Sequence, residues 1–232
     1  MDAFPVSSNL LGKSASAYGH LRRAIAFGQL RPSRRLSATG LAAHYRISET
    51  PVREALVRLS AEGFLTWEAS KGYFTKPVTL HEQDDLHEVI AISLQACLRS
   101  LARSAPDILD VVEQRAAPAL LEPADSPDIS RQLSELIAEV GRAIVKRNGN
   151  AVLDALMSIL MDRTQLVRRL ALDTPEQIET ARLRVSGLAS AVLALDGTTA
   201  AAIVGQHLAE RRRGLPALIE AASAVTGQAT YP

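Results

Sequence analysis

Cysteine is almost absent: Cys97 stands alone among 232 residues, so no disulfide framework forms within one chain. No apolar run approaches the roughly 20 residues that a membrane-spanning helix needs, and the opening MDAFPVSSNL lacks the basic-then-apolar layout of a signal peptide. These absences predict a cytoplasmic protein without a membrane partner. No segment repeats at a fixed period, and none is low in complexity. Catalytic signatures are missing as well: no glycine-rich phosphate loop follows a strand, no nucleophile elbow occurs, and Cys97 has no His at a suggestive spacing. Glu135 and Glu139 lie four apart on one expected helix, but such pairs are far more often a solvated face than a catalytic couple. No enzyme activity is expected.

The net charge of +1 hides an asymmetry. Residues 1–80 hold 11 Lys and Arg against 5 Asp and Glu, whereas residues 81–232 hold 15 against 20. A basic head on an acidic body is the pattern expected if only the head meets phosphate.

That head contains the most informative stretch, SETPVREALVRL from Ser48 to Leu59. Ser48 suits an N-cap, and Pro51 falls in the first turn, where its missing N–H costs nothing. Val52, Ala55, Leu56 and Leu59 recur at helical spacing and face a core, while Glu49, Thr50, Arg53 and Arg58 project elsewhere. The preceding SATGLAAHYRI predicts a shorter helix capped by Ser37, with Leu41, Ala42 and Tyr45 inward and a tight turn at Arg46. Two helices in this arrangement form a helix-turn-helix, whose second helix presents its first residues to base edges in the major groove. FLTWEASKGYFTKPV then predicts two short strands around Ser70, Lys71 and Gly72, a wing. AYGHLRRAIAFGQLRP predicts a helix in front, ended by Gly28 and Pro32.

Ile25, Gly28, Leu30 and Pro32, then Ser48 and Thr50 to Leu56, then Glu62 to Leu65 and Gly72 make this third of the chain resemble the GntR-type bacterial transcription regulators. The resemblance implies double-stranded operator DNA as a partner, with Thr50 and Arg53 contacting bases, Ser48 and Arg35 contacting phosphate, and Lys71 with Gly72 entering the minor groove. Glu49 departs from the family, which usually has an Arg there. A carboxylate accepts from a cytosine amino group or pairs with Arg53 four residues on. Arg22 and Arg58 are open between phosphate contact and plain surface charge.

The expected domains are a flexible arm at 1–12, a winged helix-turn-helix at 13–77, a linker at 78–81 and an all-helical effector-binding and dimerisation domain at 82–232. The fold class is therefore mostly α, a winged helix-turn-helix followed by a C-terminal helical bundle. Thr79 and Glu82 suggest a capping box at the boundary. Helices are predicted near 80–103, 107–121, 127–147, 150–171, 175–194 and 197–224, with Gly149 closing the third and Thr174 and Pro175 opening the fifth.

This half resembles the helical effector domain of the FadR-type branch, through the segment Asn148 to Leu153 and the ending from Ala194 to Leu208. Members commonly bind a metal through one Asp and three His, and a nearby Arg helps hold a small carboxylate. In register, the aspartate falls on Ala138 and the first two histidines on Gly141 and Val185, leaving His207 alone. Ile90 stands where the family has its Arg, and Leu94 where it often has an acid. The expectation is no metal, no cofactor, and an apolar pocket of Ile90, Leu94, Ala138, Gly141 and Val185 with His207 as its main polar residue. It takes an apolar or weakly polar effector, or has filled with side chains. His87 shares a face with Ala91 and Leu94.

These readings converge on a DNA-binding repressor that grips a palindromic operator as a homodimer, since one recognition helix reads too few base pairs to find a site in a genome. Two alternatives stay open: a constitutive DNA-binding dimer without an effector, and a helical small-molecule-binding or catalytic domain with a vestigial head.

Overall fold

The computed structural model describes residues 8–100 and 119–224, which divide into two compact units between Val78 and Thr79. The expected helix at 107–121 lies almost wholly outside the described residues; only 119–121 are seen, and they are helical.

The first unit orders its elements as α1 (Ser8–Ala26), β1 (Arg35–Leu36), α2 (Ala38–Tyr45), α3 (Glu49–Ala61), β2 (Leu65–Glu68) and β3 (Gly72–Thr75). Residues 8–12, expected within a flexible arm, are instead the first turn of α1. Leu10, Leu11 and Lys13 favour helix, although Ser8, Asn9 and Gly12 do not, and the helix continues upstream of Tyr18. Residues 1–7 lie outside the described set.

Helix α2 starts where Ser37 accepts from Gly40 N and stops where Arg46 turns left-handed at φ 55°. Helix α3 follows at once and buries Pro51, Val52, Ala55, Leu56 and Leu59. It packs on α1, which contributes Ala17, Leu21 and Ala24 to the same core. Each large aliphatic side chain so buried stabilises the unit by about 1.5–3 kcal/mol. Arg22 and Arg58 are tied down by the same packing: Tyr18 Oη donates to Glu62 at 2.6 Å, Arg58 Nε donates to Glu62 at 2.9 Å, and Arg22 donates to Tyr18 Oη at 2.6 Å.

The two wing strands are antiparallel, with Leu65 opposite Thr75 and Glu68 opposite Gly72. A further strand, β1, was not expected; it pairs Arg35 with Phe74 and gives the order β1-β3-β2. Buried Thr75 fixes it, because its hydroxyl donates to Arg31 O and accepts from Arg34 N.

In the second unit every described element is a helix: α4 (Leu80–Arg99), α5 (Ile129–Arg147), α6 (Ala151–Arg163), α7 (Gln165–Leu170), α8 (Pro175–Leu193) and α9 (Gly197–Ala224). Thr79 accepts from Glu82 N to start α4, while the Glu82 carboxylate reaches across to Arg163. A capping box between Thr174 and Gln177 starts α8, with Pro175 in its first turn. Helix α5 begins at Ile129 rather than 127, since residues 124–128 are taken up in turns.

The predicted helix at 150–171 is broken at Thr164. Fully buried, Thr164 returns its hydroxyl to Leu160 O at 3.0 Å and accepts from Arg168 Nη1 at 3.0 Å. Such back-bonding competes with regular helix, and the fresh start at Gln165 turns Arg168 inward. The core around this break joins Leu94, Leu98, Leu133, Ile144, Met157 and Val192, among others.

Candidate nucleic-acid interface and effector cavity

The start of α3 is the exposed end of a helix whose inner face is buried. Ser48, Thr50 and Arg53 are exposed and Glu49 is half-buried. Ser48 occupies the N-cap with extended backbone, yet its side chain makes no cap hydrogen bond. Glu49 is held from two sides: Thr39 Oγ1 donates to one carboxylate oxygen at 2.7 Å and Arg53 Nη2 to the other at 2.6 Å. These hydrogen bonds from Thr39 and Arg53 hold the Glu49 carboxyl below its usual range.

In the wing, Ser70 takes φ 65° and Gly72 φ 95°, so the turn needs a residue tolerant of left-handed backbone at Gly72. A Cβ there would meet nothing within 4 Å. Lys71 is exposed and pairs with Glu68 at 3.0 Å. Arg35 is exposed on β1.

The second unit contains a cavity of about 730 Å³, within the range of small-molecule sites. The pocket has therefore not filled with side chains. Ile90 and Leu94 from α4, Gly141 from α5, Val185 from α8 and His207 from α9 all line it. Ala138 does not; it is buried in the core, and its neighbour Ile137 lines the wall instead.

His207 is not the main polar residue of this wall. Arg168, Arg184 and Arg211 line the cavity with it, so the expectation of an apolar wall broken mainly by His207 is corrected. Arg168 spends its donors on neutral acceptors: Ser134 O at 3.1 Å, Met161 O at 2.7 Å, Thr164 Oγ1 at 3.0 Å and the side-chain Oε1 of Gln165. Burial, then the like charges of Arg142 and Arg211, push it down to about 9. Arg184 is paired with Glu210 and donates to His207 Nδ1 at 3.3 Å. Arg211 makes no hydrogen bond or ion pair among the described residues, and its Nε is buried without a partner; burial lowers it to about 10.

Both cavity histidines are neutral near pH 7. Desolvation lowers His87 to about 4, opposed by its bond to Gln83 O at 2.7 Å, which puts the proton on Nδ1. Burial first, and then Arg211 and Arg184, lower His207 to about 3. Because His207 Nδ1 accepts from Arg184, its own proton sits on Nε2.

One signal of these cations was present in the sequence. Met157, Met161, Thr164, Arg168 and Leu172 follow one another at helical spacing, which sets Arg168 on an apolar stripe. Likewise Arg211 follows His207 by four, and Arg184 stands between Ala181 and Leu188. A charge on an inward stripe marks a buried charge.

The residues present do not fit the metal that the family commonly holds. Gly141 offers no ligand atom, and the flexible end of Met161 occupies the space beside it, with Cε 2.3 Å from where a Cβ would stand. Among the described residues no three His, Cys, Asp or Glu side chains come together as a metal site. Three guanidinium groups in the wall also repel a divalent cation.

Bacterial regulatory proteins of the gntR family match residues 13–74, and the FCD domain matches residues 85–210. The Nta operon transcriptional regulator of Aminobacter aminovorans is 42% identical over 77 residues, which are 33% of this chain and 37% of that protein. The match thus spans little more than a third of that relative's length. Among solved structures, E. coli McbR/YncC superposes with a TM-score of 0.73 at 19% identity, covering 90% of this chain and 97% of that one. A transcriptional regulator GntR from Rhodococcus sp. RHA1 gives 0.73 at 20% identity, over 89% and 98%. At that identity the likeness is one of fold. No described helix is long and apolar enough to cross a membrane.

Proposed function

The chain belongs to the gntR family of bacterial regulatory proteins and carries the FCD domain, and from that membership we propose that it is an effector-controlled transcriptional repressor. It acts in the cytoplasm as a homodimer on a palindromic operator. The observation that carries this reading is the start of α3, where Thr50 and Arg53 are exposed while Val52, Leu56 and Leu59 anchor the other face. A helix N-terminus so presented fits the major groove. Thr50 and Arg53 read base edges, Ser48 and Arg35 contact phosphate, and Lys71 with Gly72 lies in the adjacent minor groove. Dimerisation supplies the second half-site that a single recognition helix cannot read.

The cavity of the FCD domain is the effector pocket in this reading, with Ile90, Leu94, Gly141, Val185 and His207 in its wall. Its volume favours control by a ligand over constitutive binding. The test is mobility shift with the DNA upstream of its own reading frame, at several salt concentrations. A specific complex of two chains per site is expected; non-specific binding alone would overturn the proposal.

A further inference from the structure

Resting on the reading of the cavity as the effector pocket, we infer that it takes an organic monoanion with an apolar body, a carboxylate seated on Arg211 and His207, and holds it without a metal ion. The argument starts from Arg211. A guanidinium carries five donors, and in this one none finds an acceptor among the described residues while Nε is shut away from water. A buried donor left this way is costly, and an unsatisfied buried group in a cavity wall points to a missing acceptor.

The surrounding charges set the valence of that acceptor. Arg168 contributes its field only, because its donors are already taken by Ser134, Met161, Thr164 and Gln165. Arg184 is matched by Glu210, whose other oxygen accepts from Gln206 at 3.1 Å. The remaining lining carboxylate, Glu176, sits on the exposed first turn of α8. Three guanidinium groups against two carboxylates leave one positive charge uncompensated. A monocarboxylate neutralises it, whereas a dianionic phosphate or a dicarboxylate overshoots. His207, one turn before Arg211 on α9, adds a neutral Nε2–H donor.

The rest of the wall sets the body of the ligand. Helices α4 and α5 supply Ile90, Leu94, Val140 and Ile144, with His87 as their polar exception. Helices α8 and α9 add Val185, Leu188, Ile203 and Val204 to that apolar surface, and among the described residues the cavity's charges come from α7, α8 and α9 alone. In this chain arginine therefore replaces the metal as the source of positive charge.

The experiment uses the full chain, dialysed against chelator, and measures thermal shift and calorimetric binding. Probes are straight-chain and aromatic monocarboxylates of six to ten carbons, each with its primary amide, alongside inorganic phosphate and citrate. Acids are expected to stabilise the protein with or without chelator, and amides, phosphate and citrate are not. Arg211→Met is expected to melt at or above the parent temperature without ligand, since it removes an uncompensated charge, and to bind acids at least tenfold more weakly. Amides that bind as well as acids, acid binding that needs metal, acids that bind Arg211→Met unchanged, or no binding by any acid would each overturn the inference. Operator affinity is read in parallel. Acids that bind without altering it would leave the anion site standing and remove the effector role, while a response to neutral compounds only would do the reverse.

Discussion

Glu49 holds Arg53: the Arg53 guanidinium donates to the Glu49 carboxylate at 2.6 Å, one helical turn apart at the start of α3. Thr39 on α2 donates to the second oxygen at 2.7 Å, so the carboxylate bridges both helices of the motif. The proposed base-reading arginine is thereby given a direction before DNA arrives.

Replacing Glu49 by Arg is expected to change which operator is preferred, because it both removes this restraint and introduces a donor suited to guanine. Binding selection on random DNA with parent and variant tests this. The same consensus from both would leave Glu49 only its favourable placement at a helix N-terminus.

Arg53→Ala is expected to weaken operator binding by about 1–3 kcal/mol and relax specificity at one position. Lys71→Ala is expected to weaken all sequences alike and to lower the salt slope by about one. Anisotropy titrations over a salt series distinguish the two patterns, and an Arg53→Ala variant that binds like the parent refutes the docking.

Gly197 opens α9 against the end of α4, where a Cβ would lie 2.2 Å from the Leu98 carbonyl oxygen. The obstacle is backbone and cannot swing aside, so Gly197→Ala is expected to destabilise the FCD unit by about 1–3 kcal/mol. Gly19 in α1 faces open space, and Gly19→Ala is expected to stabilise the first unit by about 0.5–1 kcal/mol. Thermal melts of both variants read these opposite signs.

Acid sensitivity follows from the two cavity histidines. Their folded values, about 4 for His87 and about 3 for His207, lie below the unfolded value near 6.5. The unfolded chain therefore binds more protons between these limits, and stability that is complete above pH 6.5 is lost as pH falls towards 3. His207→Gln is expected to flatten the dependence of the denaturation midpoint between pH 6.5 and pH 4, and an unchanged profile would contradict it.

How much of the site the sequence revealed differs between the two units for a physical reason. Ser37, the left-handed Arg46, and the spacing of Val52, Ala55, Leu56 and Leu59 act within a few residues of chain, and the helix pair forms where they indicate. Strand β1 was missed because two residues carry no periodicity, and it exists only where β3 is present to pair with it. In the FCD unit the family resemblance located four of the five apolar wall positions but set Ala138 one residue from the wall. The break at Thr164 escaped notice because a buried hydroxyl competing for Leu160 O depends on its surroundings, not on propensity.

Local periodicity, capping and charge asymmetry thus determined, from the sequence alone, a winged helix-turn-helix head and a helical body, and position-by-position comparison set Ala138, Gly141 and Val185 where the family has metal ligands. Only the tertiary structure decided that a cavity exists and that its wall is cationic. Arg168, Arg184 and Arg211 come from three successive helices, α7, α8 and α9. Whether their charges meet, and whether carboxylates meet them, depends on which helix faces turn towards one another, and the sum of those burials is not written in any one segment.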